Sequence, residues 1–136
     1  MENIHEGGCL CGAVRYRVRG EPGAVLVCHC KYCQRRTSSA FAAIAAFKEG
    51  SVQFIGSTPT VYEHHSDESG RWLRSHFCSR CGTTVMLTLE MQPGVNAIQL
   101  GTFDDATWVK PTRHIWTRSK HEWVAIPADV KVRETV

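Results

Sequence analysis

Apolar and polar side chains alternate along much of the chain with a period of two residues. The clearest case is the segment 13–19, whose sequence is AVRYRVR. Successive side chains of a β-strand point to opposite faces of the sheet, so the valines and the tyrosine share one face and the arginines share the other. The pattern predicts a half-buried antiparallel strand at this position.

Other short apolar segments predict further strands. Clusters rich in Gly, Pro, Ser and Asn separate several of them, at 20–23, 56–59 and 92–96. After Cys33 we expect a short helical turn, followed by a strand within the apolar run FAAIAAF. The predicted class is mainly β, with small antiparallel sheets and no long amphipathic helix. The additional predicted strands are 25–27, 52–55, 60–62, 72–76, 84–89, 97–100, 114–117 and 123–126.

The length and charge of the chain narrow the class of protein. A chain of 136 residues fits one domain, 1–136. Its longest apolar run, 41–47, is much shorter than the roughly 20 residues that cross a bilayer. A net charge of +3 is too small to indicate nucleic-acid binding. The N-terminal sequence MENIHEGG lacks the apolar core of a signal peptide, so we expect a cytoplasmic protein.

The seven cysteines fall into three groups. An odd number cannot form a complete set of disulfides within one chain, and the cytoplasm keeps thiols reduced. We therefore interpret the cysteines as metal ligands. The groups are a C-x-C pair, Cys9 and Cys11; a C-x-C-x-x-C cluster, Cys28, Cys30 and Cys33; and a C-x-x-C-G turn, Cys78 and Cys81 followed by Gly82.

The C-x-x-C-G turn has the form of a zinc knuckle, which supplies two of the four ligands of a structural zinc ion. Pairing it with the isolated C-x-C pair gives a closed site of four cysteines. The C-x-C-x-x-C cluster then offers three ligands and an open position, which is typical of a catalytic zinc. Two alternatives remain open: a different partition of the cysteines, or a histidine that closes the second site.

Three histidines lie near the cysteines or in the C-terminal part of the chain. In an extended segment the side chain of His29 points away from its cysteine neighbours, so we expect it to support the site rather than bind metal. His76 shares a strand face with Cys78 if that strand is regular. His114 is either a substrate contact or a structural histidine.

Several motifs together resemble the glutathione-dependent formaldehyde-activating enzyme family, and the centromere protein V group is similar. They are GGCLCGAVRY at 7–16, CHCKYCQRRTSSAFAA at 28–43, FCSRCGTT at 77–84, and the C-terminal run at 101–124. The resemblance implies a β-tent fold, in which small sheets surround zinc. It also implies two zinc ions per chain: a structural ion held by Cys9, Cys11, Cys78 and Cys81, and a catalytic ion held by Cys28, Cys30 and Cys33.

The resemblance further implies a carbon–sulfur lyase type of activity. The expected reaction adds a thiol such as glutathione to formaldehyde or a related small aldehyde. Arg35 and Arg36 are expected to pair with the carboxylates of glutathione. One alternative is a zinc-stabilised binding module without catalysis, and another is related thiol or aldehyde chemistry on a different substrate. Exposed strand edges in a small β domain also make a homodimer an expectation.

Overall fold

Two β-sheets and one short helix form the structure, a computed structural model that describes residues 3–136. The helix, α1, spans Lys31–Thr37. The strands are β1 Ile4–Gly8, β2 Val14–Arg19, β3 Ala24–Cys28, β4 Ala42–Lys48, β5 Val52–Gly56, β6 Thr60–His65, β7 Trp72–Phe77, β8 Thr84–Leu89, β9 Val95–Gln99, β10 Arg113–Ile115 and β11 Lys131–Val132.

The sheets differ in size. The smaller contains β1, β2 and β5 in the order β1-β2-β5, and all its pairs are antiparallel. The larger has the order β11-β10-β3-β4-β9-β8-β7-β6. Its pairs are antiparallel except that β10 runs parallel to both of its neighbours, β3 and β11. The mainly β class predicted from the alternating pattern is confirmed.

The main core lies between the two sheets. The apolar face of β2 is fully buried there, as its alternation with arginines predicted. Side chains from β4, β8 and β9 of the larger sheet pack against it, including Ala45, Val85 and Ile98. This core occupies one face of the larger sheet. On the opposite face, α1 packs against β4 beside the end of β3.

The structure corrects two sequence predictions and adds a strand that the sequence did not predict. The helix begins at Lys31, two residues before Cys33 rather than after it, because Cys30 caps its N-terminus: the Cys30 sulfur accepts a hydrogen bond from the Cys33 amide. The strand predicted at 123–126 is wrong, since Val124 is buried in a segment without ladder pairing. Strand β1 was not predicted, because IHEGG lacks an alternating apolar pattern.

Three further sequence predictions concern membrane-spanning helices, disulfides and the oligomeric state. Within residues 3–136, no helix is long and apolar enough to span a membrane. All seven cysteines are free thiols, as a role in metal binding requires. The homodimer stays a prediction; β6 and β11 are the strands at the edges of the larger sheet where such pairing would occur.

Candidate metal centres and active site

The first cysteine cluster joins two turns that are distant in sequence. Cys9 and Cys11 lie in the turn between β1 and β2, and Cys78 and Cys81 lie in the turn between β7 and β8. All four sulfur atoms lie within 4.8 Å of one another. The structure thus brings together the four residues that the sequence assigned to one closed site.

The spacing of these sulfurs fits zinc. Four sulfurs at about 2.3 Å from a central zinc ion, arranged as a tetrahedron, stand about 3.8 Å apart. The Sγ–Sγ distance is 3.7 Å between Cys9 and Cys11 and 3.8 Å between Cys11 and Cys78. The four thiols therefore have the spacing of a tetrahedral zinc site.

Backbone and side-chain hydrogen-bonding groups contact the sulfurs of Cys9, Cys78 and Cys81. The Val14 amide donates to the Cys9 sulfur at 3.2 Å, and the Arg80 amide donates to the Cys78 sulfur at 3.3 Å. The hydroxyl and the amide of Thr83 lower the pKa of Cys81 to about 5. A thiol that ionises readily is a better zinc ligand, because the metal binds the thiolate.

The second cluster is built locally, at the junction of β3 and α1. Cys28 is the last residue of β3, Cys30 caps α1, and Cys33 lies in the first turn of the helix. Their sulfur atoms also lie within 4.8 Å of one another, and those of Cys28 and Cys30 are 3.4 Å apart. Cys28 and Cys33 are buried, whereas Cys30 is partly exposed.

The thiols of this cluster differ in pKa. Hydrogen bonds from Cys28 and Cys33 lower the pKa of Cys30 to about 3, and the amides of Cys33 and Tyr32 add to this effect. The pKa of Cys28 is raised, first because its thiol donates to Cys30. Three neighbouring thiolates repel one another without a cation. The donor set and its sulfur spacing fit a zinc ion with one open position, since no fourth His, Cys, Asp or Glu joins the group within the described residues.

His29, which lies between Cys28 and Cys30, contacts His114 of β10, the strand that pairs with β3. The Nε2 atom of His29 lies 2.8 Å from Nδ1 of His114, in a hydrogen bond between two buried rings. Burial is the main cause that lowers the pKa of His29 to about 4, so the ring is neutral at neutral pH. His76 instead contacts the Thr88 hydroxyl at 2.9 Å.

One residue that supports the cluster was not identified from the sequence. The side-chain amide of Gln34 donates to the carbonyl of His29 at 2.8 Å and to the carbonyl of Ser119 at 3.1 Å. Gln34 is buried and so ties α1 to the C-terminal 3-10 turn Thr117–Ser119. No sequence signal links these partners, because Ser119 lies 85 residues beyond Gln34.

The two arginines after the cluster occupy different environments. Arg36 is partly buried, and its Nη2 atom lies 3.8 Å from the Cys33 sulfur. Its buried Nε and Nη1 atoms have no hydrogen-bond partner among the described residues. Arg35 is exposed in the last turn of α1. Only Arg36 is therefore placed beside the sulfurs.

A tryptophan lies on the C-terminal side of the second cluster. Trp116 follows β10 directly and packs against the group that contains Cys28 and Cys33. Its φ of 57° is in the left-handed region, which a bulky residue rarely adopts. The Arg118 guanidinium stacks on the Trp116 ring at 4.8 Å. Trp123, by contrast, is 76% exposed.

Comparison with known proteins gives consistent results. The model of a family described as glutathione-dependent formaldehyde-activating enzyme matches residues 4–119. A protein of Halomonas elongata, provisionally named a glutathione-dependent formaldehyde-activating enzyme, is 28% identical over 125 residues, which are 89% of this chain and 80% of that protein. A crystal structure of a Rhodobacter sphaeroides protein superposes with a TM-score of 0.58 at 20% identity, covering 78% of this chain and 91% of that chain. At that identity the superposition shows a shared fold alone.

Proposed function

Because the chain belongs to the glutathione-dependent formaldehyde-activating enzyme family, we propose that it joins a small thiol such as glutathione to a small aldehyde such as formaldehyde. The observation that carries the proposal is the cluster of Cys28, Cys30 and Cys33, which has three sulfur donors and no fourth His, Cys, Asp or Glu beside them within the described residues. A purely structural site has no need of an open position.

The proposed reaction is an addition that needs no oxidant or other co-reactant. The thiol sulfur forms a bond to the carbonyl carbon, the carbonyl π bond breaks, and the thiol proton passes to the oxygen. With glutathione and formaldehyde the product is S-hydroxymethylglutathione. The reverse direction cleaves the carbon–sulfur bond, which corresponds to a carbon–sulfur lyase.

We assign one zinc ion to each cluster. When bound at the three-cysteine cluster, zinc lowers the pKa of a substrate thiol and holds that thiol in place. The protein supplies the three sulfurs, and burial of Cys28 and Cys33 excludes water from one side of the site. Because the cysteines must remain thiols, the proposal also places the protein in a reducing compartment such as the cytoplasm.

Arg36 supplies the compensating charge in this proposal. Three thiolates carry more negative charge than one zinc ion neutralises, and a substrate thiolate adds to that excess. The Arg36 guanidinium at 3.8 Å from the Cys33 sulfur offsets part of it. The same guanidinium can also pair with a substrate carboxylate. Arg35, which is exposed, is a second candidate for that contact.

Exchange NMR tests the proposed reaction. Protein kept reduced is mixed with glutathione and formaldehyde, and the rate of S-hydroxymethylglutathione formation is compared with the uncatalysed rate. We expect acceleration by the wild type and none by Cys30→Ser, with zinc content falling from about two to about one per chain. Ser39→Ala, a change at an exposed position after α1, is the matched control.

The same experiment decides between catalysis and a zinc-stabilised binding module. Two zinc ions per chain without acceleration for glutathione would overturn the proposed reaction with this thiol. Absence of acceleration for any small thiol or aldehyde would favour the binding module. Acceleration with a different thiol would assign the family's chemistry to another substrate.

A further inference from the structure

A small apolar pocket adjoins the second cysteine cluster. Its volume is about 90 Å³. The side chains around it come mainly from the four strands β3, β4, β8 and β9, and they include Ala24, Leu26, Ile44, Leu87, Leu89 and Ala97. Leu26 is shared, because it lines the pocket and also packs against the group containing Cys28 and Cys33. The pocket and the cysteine cluster therefore have Leu26 as a common neighbour.

Strand geometry places the pocket and the cluster on the same face of the sheet. Leu26 precedes Cys28 by two residues in β3, so the two side chains share a face and stand about 6.6 Å apart along the strand. Their partners in β4, Ile44 and Ala42, keep the same register.

A cation lies at the rim of this pocket. Arg113 of β10 lines it and is paired in register with Leu26. Lys131 of β11 is the next residue across, paired in register with Arg113. Among residues 3–136, no carboxylate forms an ion pair with either side chain. The pocket thus combines an apolar lining with uncompensated positive charge at one end.

A second cleft lies elsewhere in the structure. It is larger, about 510 Å³, and neither cysteine cluster contributes to its lining. Met86 and Thr88 line it, and these two residues alternate along β8 with Leu87, which lines the smaller pocket. Leu89, Gln92 and Val95 line both cavities, so the two adjoin near the end of β8. Of these two cavities, only the smaller has a lining residue, Leu26, that also packs against the cysteine cluster.

We propose that the small pocket binds the side chain of the aldehyde, and that the preferred aldehyde is a short aliphatic one that ends in a carboxylate. This inference rests on the proposed thiol addition and specifies its substrate class. A volume of 90 Å³ is smaller than the roughly 150 Å³ cavity that holds a benzene ring, so it fits a short chain and not a ring. The aldehyde carbon lies at the cysteines, the methylene groups contact Leu26, and the carboxylate pairs with Arg113.

The chemical step for such a substrate is the same addition. The thiol sulfur bonds to the aldehyde carbon, and the thiol proton moves to the aldehyde oxygen. Formaldehyde has no side chain and leaves the pocket without a ligand. A longer aldehyde gains apolar contact with the pocket lining, so the pocket favours it over formaldehyde.

Binding of an unreactive probe tests the pocket without any catalysis. Pentanoate and pentanamide have the same length and differ in charge, and each is titrated into zinc-loaded protein while amide chemical shifts are followed. We expect pentanoate to bind more tightly than pentanamide. Ala24→Leu, which fills a partly exposed wall of the pocket, should weaken both probes about tenfold. Arg113→Gln should weaken pentanoate about fivefold and leave pentanamide unchanged.

Matched controls separate the pocket from general effects. Ala128→Leu enlarges an exposed alanine, and Arg19→Gln removes an exposed arginine, both away from the pocket lining. Neither control should change the affinity for either probe. Absence of pentanoate binding, or equal binding by wild type and Ala24→Leu, would overturn the pocket as a binding site. Equal affinities for pentanoate and pentanamide would overturn the assignment of a carboxylate.

Turnover then separates this inference from the proposed function. Glutathione addition is measured with formaldehyde, butanal and 4-oxobutanoate. We expect the highest kcat/KM for 4-oxobutanoate, and a fall of about tenfold in its ratio to formaldehyde in Ala24→Leu. Formaldehyde turnover without pentanoate binding would overturn the pocket while the proposed function stands. Pentanoate binding without turnover of any aldehyde would overturn the proposed function and the aldehyde as occupant, and would leave the pocket as a carboxylate-binding site.

Discussion

The two cysteine clusters use the same donor atom in opposite ways. The cluster of Cys9, Cys11, Cys78 and Cys81 supplies four sulfurs and joins turns that are 67 residues apart in sequence, from Cys11 to Cys78. The other cluster supplies three sulfurs from one segment, 28–33, and no fourth His, Cys, Asp or Glu joins it within the described residues. The first arrangement closes a long loop of the chain, whereas the second closes a short one.

The difference separates a role in folding from a role in chemistry. Metal binding to ligands that are distant in sequence contributes directly to folding free energy, because the unfolded chain lacks the preformed site. Metal binding within a six-residue segment constrains far less of the chain. We therefore expect stability to depend on the first cluster and activity to depend on the second. The predictions below test this division, beginning with the largest effect.

The largest effect is expected for Cys78→Ser. Cys78 is 2% exposed, and its sulfur stands 3.8 Å from that of Cys11. Binding of a structural zinc ion contributes about 10–16 kcal/mol of apparent free energy in small zinc domains. The free energy of unfolding of a whole domain is only about 5–15 kcal/mol. We expect loss of the cooperative thermal transition, measured by circular dichroism, and loss of zinc. Ser79→Ala, at the neighbouring exposed position, is the control. A folded Cys78→Ser protein with two zinc ions would refute the division of roles.

Removal of metal should proceed in two steps. A three-ligand site with an open position exchanges metal more readily than a closed site of four sulfurs. With a limiting chelator we expect one zinc ion to leave first, together with activity, while the circular dichroism spectrum is unchanged. Further chelation should then unfold the protein. Simultaneous release of both ions with unfolding would show that the clusters are not independent.

How far the sequence predicted this site depends on whether the interactions are local. Cysteine spacing alone indicated the four-and-three grouping, because C-x-x-C-G and C-x-C-x-x-C turns bring their own sulfurs together. The alternation in 13–19 likewise predicted β2 and its buried face. The side-chain contact of Gln34 with Ser119 and the pairing of His29 with His114 span 85 residues each, and only the folded sheet brings them together.

Replacement of a residue of the buried histidine pair should have a smaller effect on stability. It also tests whether stability and metal binding depend on different residues. His114→Ala removes the partner of His29 Nε2, and the Nδ1 atom of His29 already has no hydrogen-bond partner within the described residues. A buried polar atom without a partner costs about 1–3 kcal/mol. We expect a loss of that size in the free energy of unfolding by urea, with both zinc ions retained. His64→Ala, at a partly exposed position, provides a control for the removal of a histidine ring from a strand.

A combined loss of zinc and stability in His114→Ala would assign the pair to the metal site itself. The expected separation of the two effects follows from strand geometry, because His29 and its cysteine neighbours lie on opposite sides of the same segment.

The smallest expected effect is a change in the KM for glutathione when either arginine after the second cluster is replaced. Arg36 lies 3.8 Å from the Cys33 sulfur and Arg35 is exposed, so the charge of Arg36 should matter more to a bound thiolate or carboxylate. The interaction of a partly exposed charge is screened, so we expect Arg36→Gln to raise the KM for glutathione about fivefold, which corresponds to about 1 kcal/mol. Arg35→Gln is the matched variant and should change KM less than twofold. The double variant should resemble Arg36→Gln alone. Equal effects of the two single variants would mean that glutathione carboxylates contact both arginines, and the open side of the cluster would then face the outer surface of α1.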